Sequence, residues 1–310
     1  MFEQPVKPRR RRRVQLAVPA TERRKIDKAL GLGVDHVFLD LEDAVAPQNK
    51  PQARENVVAA LNEADWGDTV RCFRMNGLDT PWAYQDLVTV VEAAGHRLDT
   101  VMLPKARYAR DVQWLDIFLG QIEAGCDIGH RIGIEVLIEE VEGVANVDEI
   151  ALASPRVEAL IFGMGDYSRS QGVDAADAFG PARHYPGDIW HYQRSRIAVA
   201  AAMAGADYID GPWANIDDTE GFRQECRVVK TLGAVGKWAL HPGQVGIARE
   251  EFSPGPQEIS QAQEYIALYE QAKAQGIGAI KAPDGKMLDE AVLRLYRRVL
   301  DRAAFLGIDH

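Results

Sequence analysis

The 310-residue chain has little cysteine and no long apolar run, and both scarcities narrow what it can be. Its three cysteines, Cys72, Cys126 and Cys226, are odd in number and widely scattered. They fit neither a disulfide framework nor a spaced zinc site, so a reducing compartment, the cytoplasm, is expected. The longest nearly apolar stretch, Ile197–Ala206, is about half of a membrane span and rich in alanine, which reads as a buried helix face. No membrane association is expected, and no apolar segment before the first expected strand resembles a secretory signal. Positive charge is also in deficit. A net charge of −10 argues against a general nucleic-acid binder, and an anionic ligand would need local cations to overcome that field. No histidine or cysteine cluster offers a site for a softer metal.

What the chain does have is eight short apolar runs: Val14–Pro19, His36–Glu42, Thr69–Asn76, Thr100–Lys105, Arg131–Glu139, Glu158–Asp166, Asp207–Trp213 and Lys237–Pro242. Helix-length stretches such as Pro51–Ala64, Thr80–Gly95, Arg110–Gly125 and Ile189–Gly205 lie between them. Strand and helix alternating in this way predict an α/β protein, a (β/α)8 barrel whose active site sits at the C-terminal ends of the strands. Such a barrel takes roughly 250 residues, so three regions are expected: a basic tail over 1–13, the barrel over 14–250, and a helical extension over 251–310. In the extension, Gln257–Gln275 and a last helix from about Leu288 to Leu306 flank a Gly/Pro-rich loop. That arrangement reads as a hinged flap able to close over a site or reach a neighbouring subunit.

Cations gather near the start. Five consecutive arginines, Arg9–Arg13, read either as a solvated tail or as help in holding a polyanionic ligand. Thr21 can cap the first helix, which then opens with Arg23, Arg24 and Lys25. Three cations there oppose the helix dipole. Either a bound anion shares the backbone N–H groups with them, or they are surface charges.

Polar residues collect at the far ends of the runs: Glu42, Asp43, Arg74, Asn76, Lys105, Glu135 and Asp166. Glu135 and Asp166 come from neighbouring strands about 4.8 Å apart, close enough to share one ion. Two carboxylates completed by water and substrate oxygens suit Mg²⁺; the other reading pairs each acid with a rim cation. Asp40 and Glu42 share one strand face, and Arg74 on the next strand is their natural partner, since unpaired buried charge costs several kcal/mol. Lys105 invites comparison with Schiff-base lysines on barrel strands, although a surface or phosphate-binding role fits the acidic rim better. His241 reads as a satisfied rim histidine before a catalytic base.

Several segments resemble the citrate lyase β-subunit/HpcH aldolase superfamily: Phe38-Leu-Asp-Leu-Glu-Asp-Ala-Val-Ala-Pro47, Arg74-Met-Asn76, Met102-Leu-Pro-Lys105, Gly163-Met-Gly-Asp166 and Gly285-Lys-Met-Leu-Asp289. Within it, Trp66-Gly-Asp-Thr69, Thr80-Pro-Trp82, Asp188-Ile-Trp-His-Tyr192 and Lys237-Trp-Ala-Leu-His-Pro-Gly-Gln244 are most similar to the malyl-CoA/β-methylmalyl-CoA lyases. The resemblance spans about Val14 to Asp289. It implies a Mg²⁺-dependent (or Mn²⁺-dependent) barrel enzyme that cleaves or forms a carbon–carbon bond in a CoA thioester, with a 2-oxo acid as the other partner. By position it implies Glu135 and Asp166 as metal ligands, Arg74 as the catalytic arginine, and Asp289 as an aspartate acting at a neighbouring subunit's site in a homotrimer or hexamer. It places Arg23, Arg24 and Lys25 against CoA phosphates, although Pro19-Ala20 stands where the family has Pro-Gly. Glu42 is expected to orient Arg74 or hold a metal-bound water. The rival activities are a citramalyl-CoA lyase yielding pyruvate and a thioesterase or malate synthase-like enzyme. A non-catalytic CoA-binding subunit is the rival of another class, and the joint presence of Arg74, Glu135, Asp166 and Asp289 argues against it.

Overall fold

The computed structural model describes residues 7–178 and 185–308. All eight expected strands form, in the expected order: β1 Val14–Pro19, β2 His36–Asp40, β3 Val70–Arg74, β4 Thr100–Leu103, β5 Gly133–Ile138, β6 Val157–Phe162, β7 Asp207–Asp210 and β8 Gly236–Ala239. They close into a parallel barrel, with β1 hydrogen-bonded to both β2 and β8. Helices follow the strands, among them α1 Arg23–Leu30, α2 Lys50–Glu63, α3 Ala83–Ala94, α4 Ala109–Gly125, α5 Val141–Ala145, α6 Val147–Leu152, α7 Met164–Gln171, α8 Ala175–Ala178, α9 His191–Ala204, α10 Thr219–Thr231 and α11 Pro242–Glu251. The chain is a (β/α)8 barrel of the TIM type.

Strand alternation sorts each strand's side chains between the barrel interior and the helices. Phe38, Cys72, Met102, Leu137, Ala159, Ile161, Ile209 and Trp238 pack together inside. On β5, Glu135 shares the face of Leu137 and lies one pleat nearer the strand's N-terminal end. Glu139, one pleat beyond Leu137, stands just past the C-terminal end. The apolar layer therefore separates two acidic levels, one at each mouth of the barrel.

The lower level corrects the expectation of a solvated basic tail. Among the described residues of 1–13, Arg12 is buried and its guanidinium reaches Glu135 at 2.9 Å, Glu158 at 2.6 Å and Asp207 at 3.0 Å. Arg10 pairs with Asp99 and Glu158, and Arg13 with Asp35. These arginines close the floor of the barrel and are not a ligand arm at its catalytic end. Burial opposes the charge on Arg12, but Glu135, Asp207 and Glu158 outweigh it and keep the group ionised. Gly236 makes the packing possible, because a Cβ there would lie 1.7 Å from the Arg12 carbonyl oxygen.

A second buried network lies on the outer face. Asp210 accepts from Arg194 of α9 and from Lys237 of β8, and Lys237 also donates to the Gly211 carbonyl. It ties α9 and the turn after β7 to the barrel wall.

The chain divides after Arg249. In residues 250–310, α12 Pro256–Ala274 and α13 Glu290–Leu306 flank an antiparallel hairpin, β9 Ala279–Lys281 with β10 Met287–Asp289. The expected loop is thus partly strand. Its core is Tyr265, Tyr269, Ala282, Leu288 and Leu293.

Removing one partner of a buried pair strands the other, so Arg12→Ala should cost about 3–5 kcal/mol in urea unfolding. Burial works against the charge on Glu135, yet His36 and Arg12 hold its carboxyl below the ordinary range. Its contribution is complete above the unfolded value of about 4.3 and is lost as pH falls through the folded value. Glu135→Gln should lower stability at pH 7 and flatten the loss of stability below about pH 4.3. An acid limb as steep as that of the parent would contradict this account.

Candidate active site

The upper mouth of the barrel is built from the ends of β2 to β6. Strand β2 ends at Asp40, which receives two parallel hydrogen bonds from Arg74 at the end of β3, both 2.7 Å. Bidentate pairing of this kind fixes the guanidinium plane. The third nitrogen of Arg74 lies 2.9 Å from Glu42, and the guanidinium also sits 5.9 Å and 5.7 Å from the ring centres of Phe38 and Trp238. Burial disfavours the cation, but Asp40, Glu42 and Glu139 more than compensate and keep it charged. The expected pairing of Arg74 with Asp40 and Glu42 is what the fold builds, with Asp40 as the two-pronged acceptor.

A polar scaffold holds these strand ends. The Lys50 ammonium donates to the carbonyls of Leu41 and Glu42 and to the Asn76 side chain, beneath the ring of Trp82 at 4.8 Å. Asn76 donates to Asp86, which also accepts from Arg54. Neither Lys50 nor Asp86 is legible as a site residue from strand spacing, because both come from helices α2 and α3.

Glu135 is not at this mouth. It is the third residue of β5, fully buried, and receives hydrogen bonds from Arg12, Gln15 and Thr100 while lying 3.1 Å from His36. The rim acid of β5 is Glu139. The signal was in the sequence: Glu139 ends the apolar run, whereas Glu135 lies within it. His36, Cys72 and Glu135 bring ligand atoms within 4.8 Å of one another. Even so, Arg12 already occupies Glu135, and burial together with the charge of Glu135 pushes the Cys72 thiol well up. That group is a poor metal site.

Glu139 is buried beneath the backbone N–H of Lys105, which donates to it at 3.0 Å. Gly163 leaves room for it, since a Cβ there would fall 2.5 Å from a Glu139 carboxylate oxygen. Burial and the charges of Glu42 and Asp166 raise its pKa well above the usual range, against the pull of Arg74 and Lys105. Burial likewise raises that of Glu42, with Asp43 adding to it and Arg74 and Lys105 opposing. Asp166, in the first turn of α7, lies 3.8 Å from the Lys105 ammonium and 3.4 Å from Arg169.

Lys105 itself sits 2.6 Å from Glu42 and 3.3 Å from Asp43. Burial pulls its pKa down, but Glu42, Glu139 and Asp166 outweigh that and hold it above the ordinary lysine value. A Schiff-base lysine needs a neutral amine, so the aldolase comparison fails on electrostatics. His241 is exposed and its ring accepts from the Gly243 N–H.

The basic turn after β1 is less committed. Helix α1 begins after Glu22, not Thr21, and has no side-chain cap and no acid in its first turn. Arg23 pairs with Asp27 and Glu63, and Lys25 with Glu22, while Arg24 is exposed with no ion-pair partner among the described residues. Asp289 ends β10 and caps α13 by accepting from the Val292 N–H at 2.9 Å.

Five carboxylates, Asp40, Glu42, Asp43, Glu139 and Asp166, thus converge on two cations, Arg74 and Lys105. Oxygen donors in excess of local positive charge fit a hard divalent cation.

The family model for HpcH/HpaI aldolase/citrate lyase matches residues 13–242. The L-malyl-CoA/β-methylmalyl-CoA lyase of Cereibacter sphaeroides is 38% identical over 313 residues, 98% of this chain and 98% of that protein. The (3S)-malyl-CoA thioesterase of the same organism is 32% identical over 289 residues, 93% of each. Among solved structures, CitE of Mycobacterium tuberculosis in complex with magnesium, acetoacetate and coenzyme A has a TM-score of 0.76 and 27% identity, over 97% of this chain and 100% of that one. The chain belongs to the HpcH/HpaI aldolase/citrate lyase family.

Proposed function

We propose that this protein is a Mg²⁺-dependent lyase of the malyl-CoA type. It reversibly cleaves malyl-CoA to acetyl-CoA and glyoxylate, and methylmalyl-CoA to propionyl-CoA and glyoxylate. The observation that carries this reading is the acidic rim, where Glu139 is buried in the field of Glu42 and Asp166 and makes no ion pair within 4 Å among the described residues, although Arg74 and Lys105 act on it from farther off. Glu139 and Asp166 are the residues that would hold the ion, in place of the expected pair Glu135 and Asp166. The ion supplies Lewis-acid charge and a template for the substrate's oxygens.

The chain's own groups account for the remaining demands of a retro-aldol step. As the carbon–carbon bond breaks, its electron pair moves into the acyl fragment and negative charge develops on the thioester oxygen. Arg74, locked against Asp40 before substrate arrives, is preorganised to donate to that oxygen. The substrate hydroxyl must lose its proton and the acyl carbon must gain one; Glu42, whose pKa is raised, orients Arg74, and Asp289 is the proposed group that transfers that proton. Asp289 would act from a neighbouring subunit in a homotrimer or hexamer. Arg23, Arg24 and Lys25, with the uncapped N-terminus of α1, suit CoA phosphates. Among the described residues, Arg24 is the member with no competing acid. No described helix is long and apolar enough to cross a membrane, and three scattered cysteines, Cys72, Cys126 and Cys226, suit a reducing compartment such as the cytoplasm.

A second reading, hydrolysis of the thioester, is favoured by the similarity to the (3S)-malyl-CoA thioesterase. Incubating acetyl-CoA or propionyl-CoA with glyoxylate or pyruvate, with Mg²⁺ or with EDTA, separates the readings by product mass. The expected product is Mg²⁺-dependent malyl-CoA with little free CoA. Formation with pyruvate alone moves the assignment to citramalyl-CoA, and release of CoA without an adduct moves it to a thioesterase.

Glu139→Gln and Asp166→Asn should each lower Mg²⁺-dependent turnover by at least about 10²-fold, and Arg74→Lys by about 10²–10³-fold in kcat. Glu135→Gln, at the opposite mouth, should retain most of its turnover per folded molecule. The reverse ranking of Glu139→Gln and Glu135→Gln would return the metal to the floor of the barrel.

For Asp289, mixing Asp289→Ala with Arg74→Ala subunits should restore part of the activity in verified mixed oligomers. No recovery would exclude sites shared between subunits.

A further inference from the structure

Lys105 is one of two non-glycine residues with a positive φ among the described residues, at 52°. Side chains seldom adopt this left-handed conformation, which persists where surrounding contacts impose it. Here it lets one residue serve two sets of acids. The backbone N–H donates to Glu139 at 3.0 Å, while the side chain carries its ammonium to within 2.6 Å of Glu42, 3.3 Å of Asp43 and 3.8 Å of Asp166. The Lys105 side chain is only 18% exposed, so its field on these carboxylates is weakly screened. Arg74 is committed to Asp40 and Glu42, and Arg169, the other cation near Asp166, is mostly in solvent.

We propose that the Lys105 ammonium is a resident counter-cation that competes with the divalent ion for the acidic rim and so limits how tightly the ion is held. The inference rests on the metal reading given above. The backbone of Lys105 orients Glu139 for the ion, and the side chain of the same residue opposes the ion's charge. An ion between Glu139 and Asp166 would bring two positive charges close to a third. Removing the third strengthens binding so long as the Glu139 bond survives. Lysine at this position therefore trades affinity for a rim that stays assembled and charge-compensated before the ion binds.

Lys105→Gly separates the two roles, because glycine accepts the left-handed backbone and keeps the N–H while the ammonium is lost. Mn²⁺ alone serves as the probe, titrated into the full-length protein and followed by electron paramagnetic resonance of the free ion. A thermal melt with and without Mn²⁺ gives an independent readout. Lys105→Gly should bind Mn²⁺ about five- to tenfold more tightly than the parent and show a larger Mn²⁺-induced rise in Tm. Lys105→Met, which keeps side-chain bulk without charge, should shift in the same direction, and Lys105→Arg should stay within about twofold of the parent. Equal or weaker binding by both neutral variants overturns the proposal, as does an arginine variant that behaves like the glycine one. Asp166→Asn should abolish Mn²⁺ binding in every background. If the parent and Asp166→Asn bind Mn²⁺ alike, the metal reading itself fails, and the inference falls with it.

Discussion

Buried arginine–carboxylate contacts hold both mouths of this barrel, and the rest of the molecule is arranged around them. At the floor, Arg12 is enclosed by Glu135, Glu158 and Asp207. At the top, Arg74 is clasped by Asp40 and touched by Glu42. Ions this deep are tolerated only when their hydrogen-bonding capacity is met, so each mouth must be built as a unit. The apolar layer of Phe38, Leu137 and Trp238 keeps the two units apart.

The two mouths differ in balance, and the difference assigns their roles. Floor cations answer floor acids, with Arg10, Arg12 and Arg13 distributed over Asp35, Asp99, Glu135, Glu158 and Asp207. That end is a closed structural joint. At the rim, Lys105 is shared among three carboxylates, and among the described residues Glu139 accepts its hydrogen bond from a backbone N–H. Excess negative charge among half-buried groups is stored attraction for a cation and for whatever that cation recruits.

Strand positions were legible because apolar runs of strand length alternate with helical stretches, and β1 formed over the residues the run marked. Arg74, Glu42 and Asp166 were legible because each lies at or near the end of such a run. Glu135 was misplaced for a reason of geometry: positions 135, 137 and 139 along β5 and its exit share one face, and two of them are glutamates at opposite ends of the barrel. Sequence spacing fixes the face but not the level. The arginine run was misread because the partners of Arg12, its most buried member, are Glu135, Glu158 and Asp207, more than a hundred residues away and beyond any local pattern. Lys50 and Asp86 escaped notice because helices, not strands, deliver them to the strand ends. The hairpin of β9 and β10 was hidden by the Gly and Pro content of its loop.

The floor also bears on how the chain can fold as it is made. Arg12 emerges from the ribosome early, yet its bonds join it to residues 123, 146 and 195 positions later, and β1 cannot gain its second neighbour until β8 exists. Contacts so remote in sequence must bear the full loop-closure entropy before they stabilise anything. Until β8 has been synthesised, the first strand has an unpaired edge, and until β7 has, Arg12 lacks its partner Asp207. Barrel closure is therefore a late event, and a nascent chain that stalls before β8 presents an open sheet for chaperones to guard.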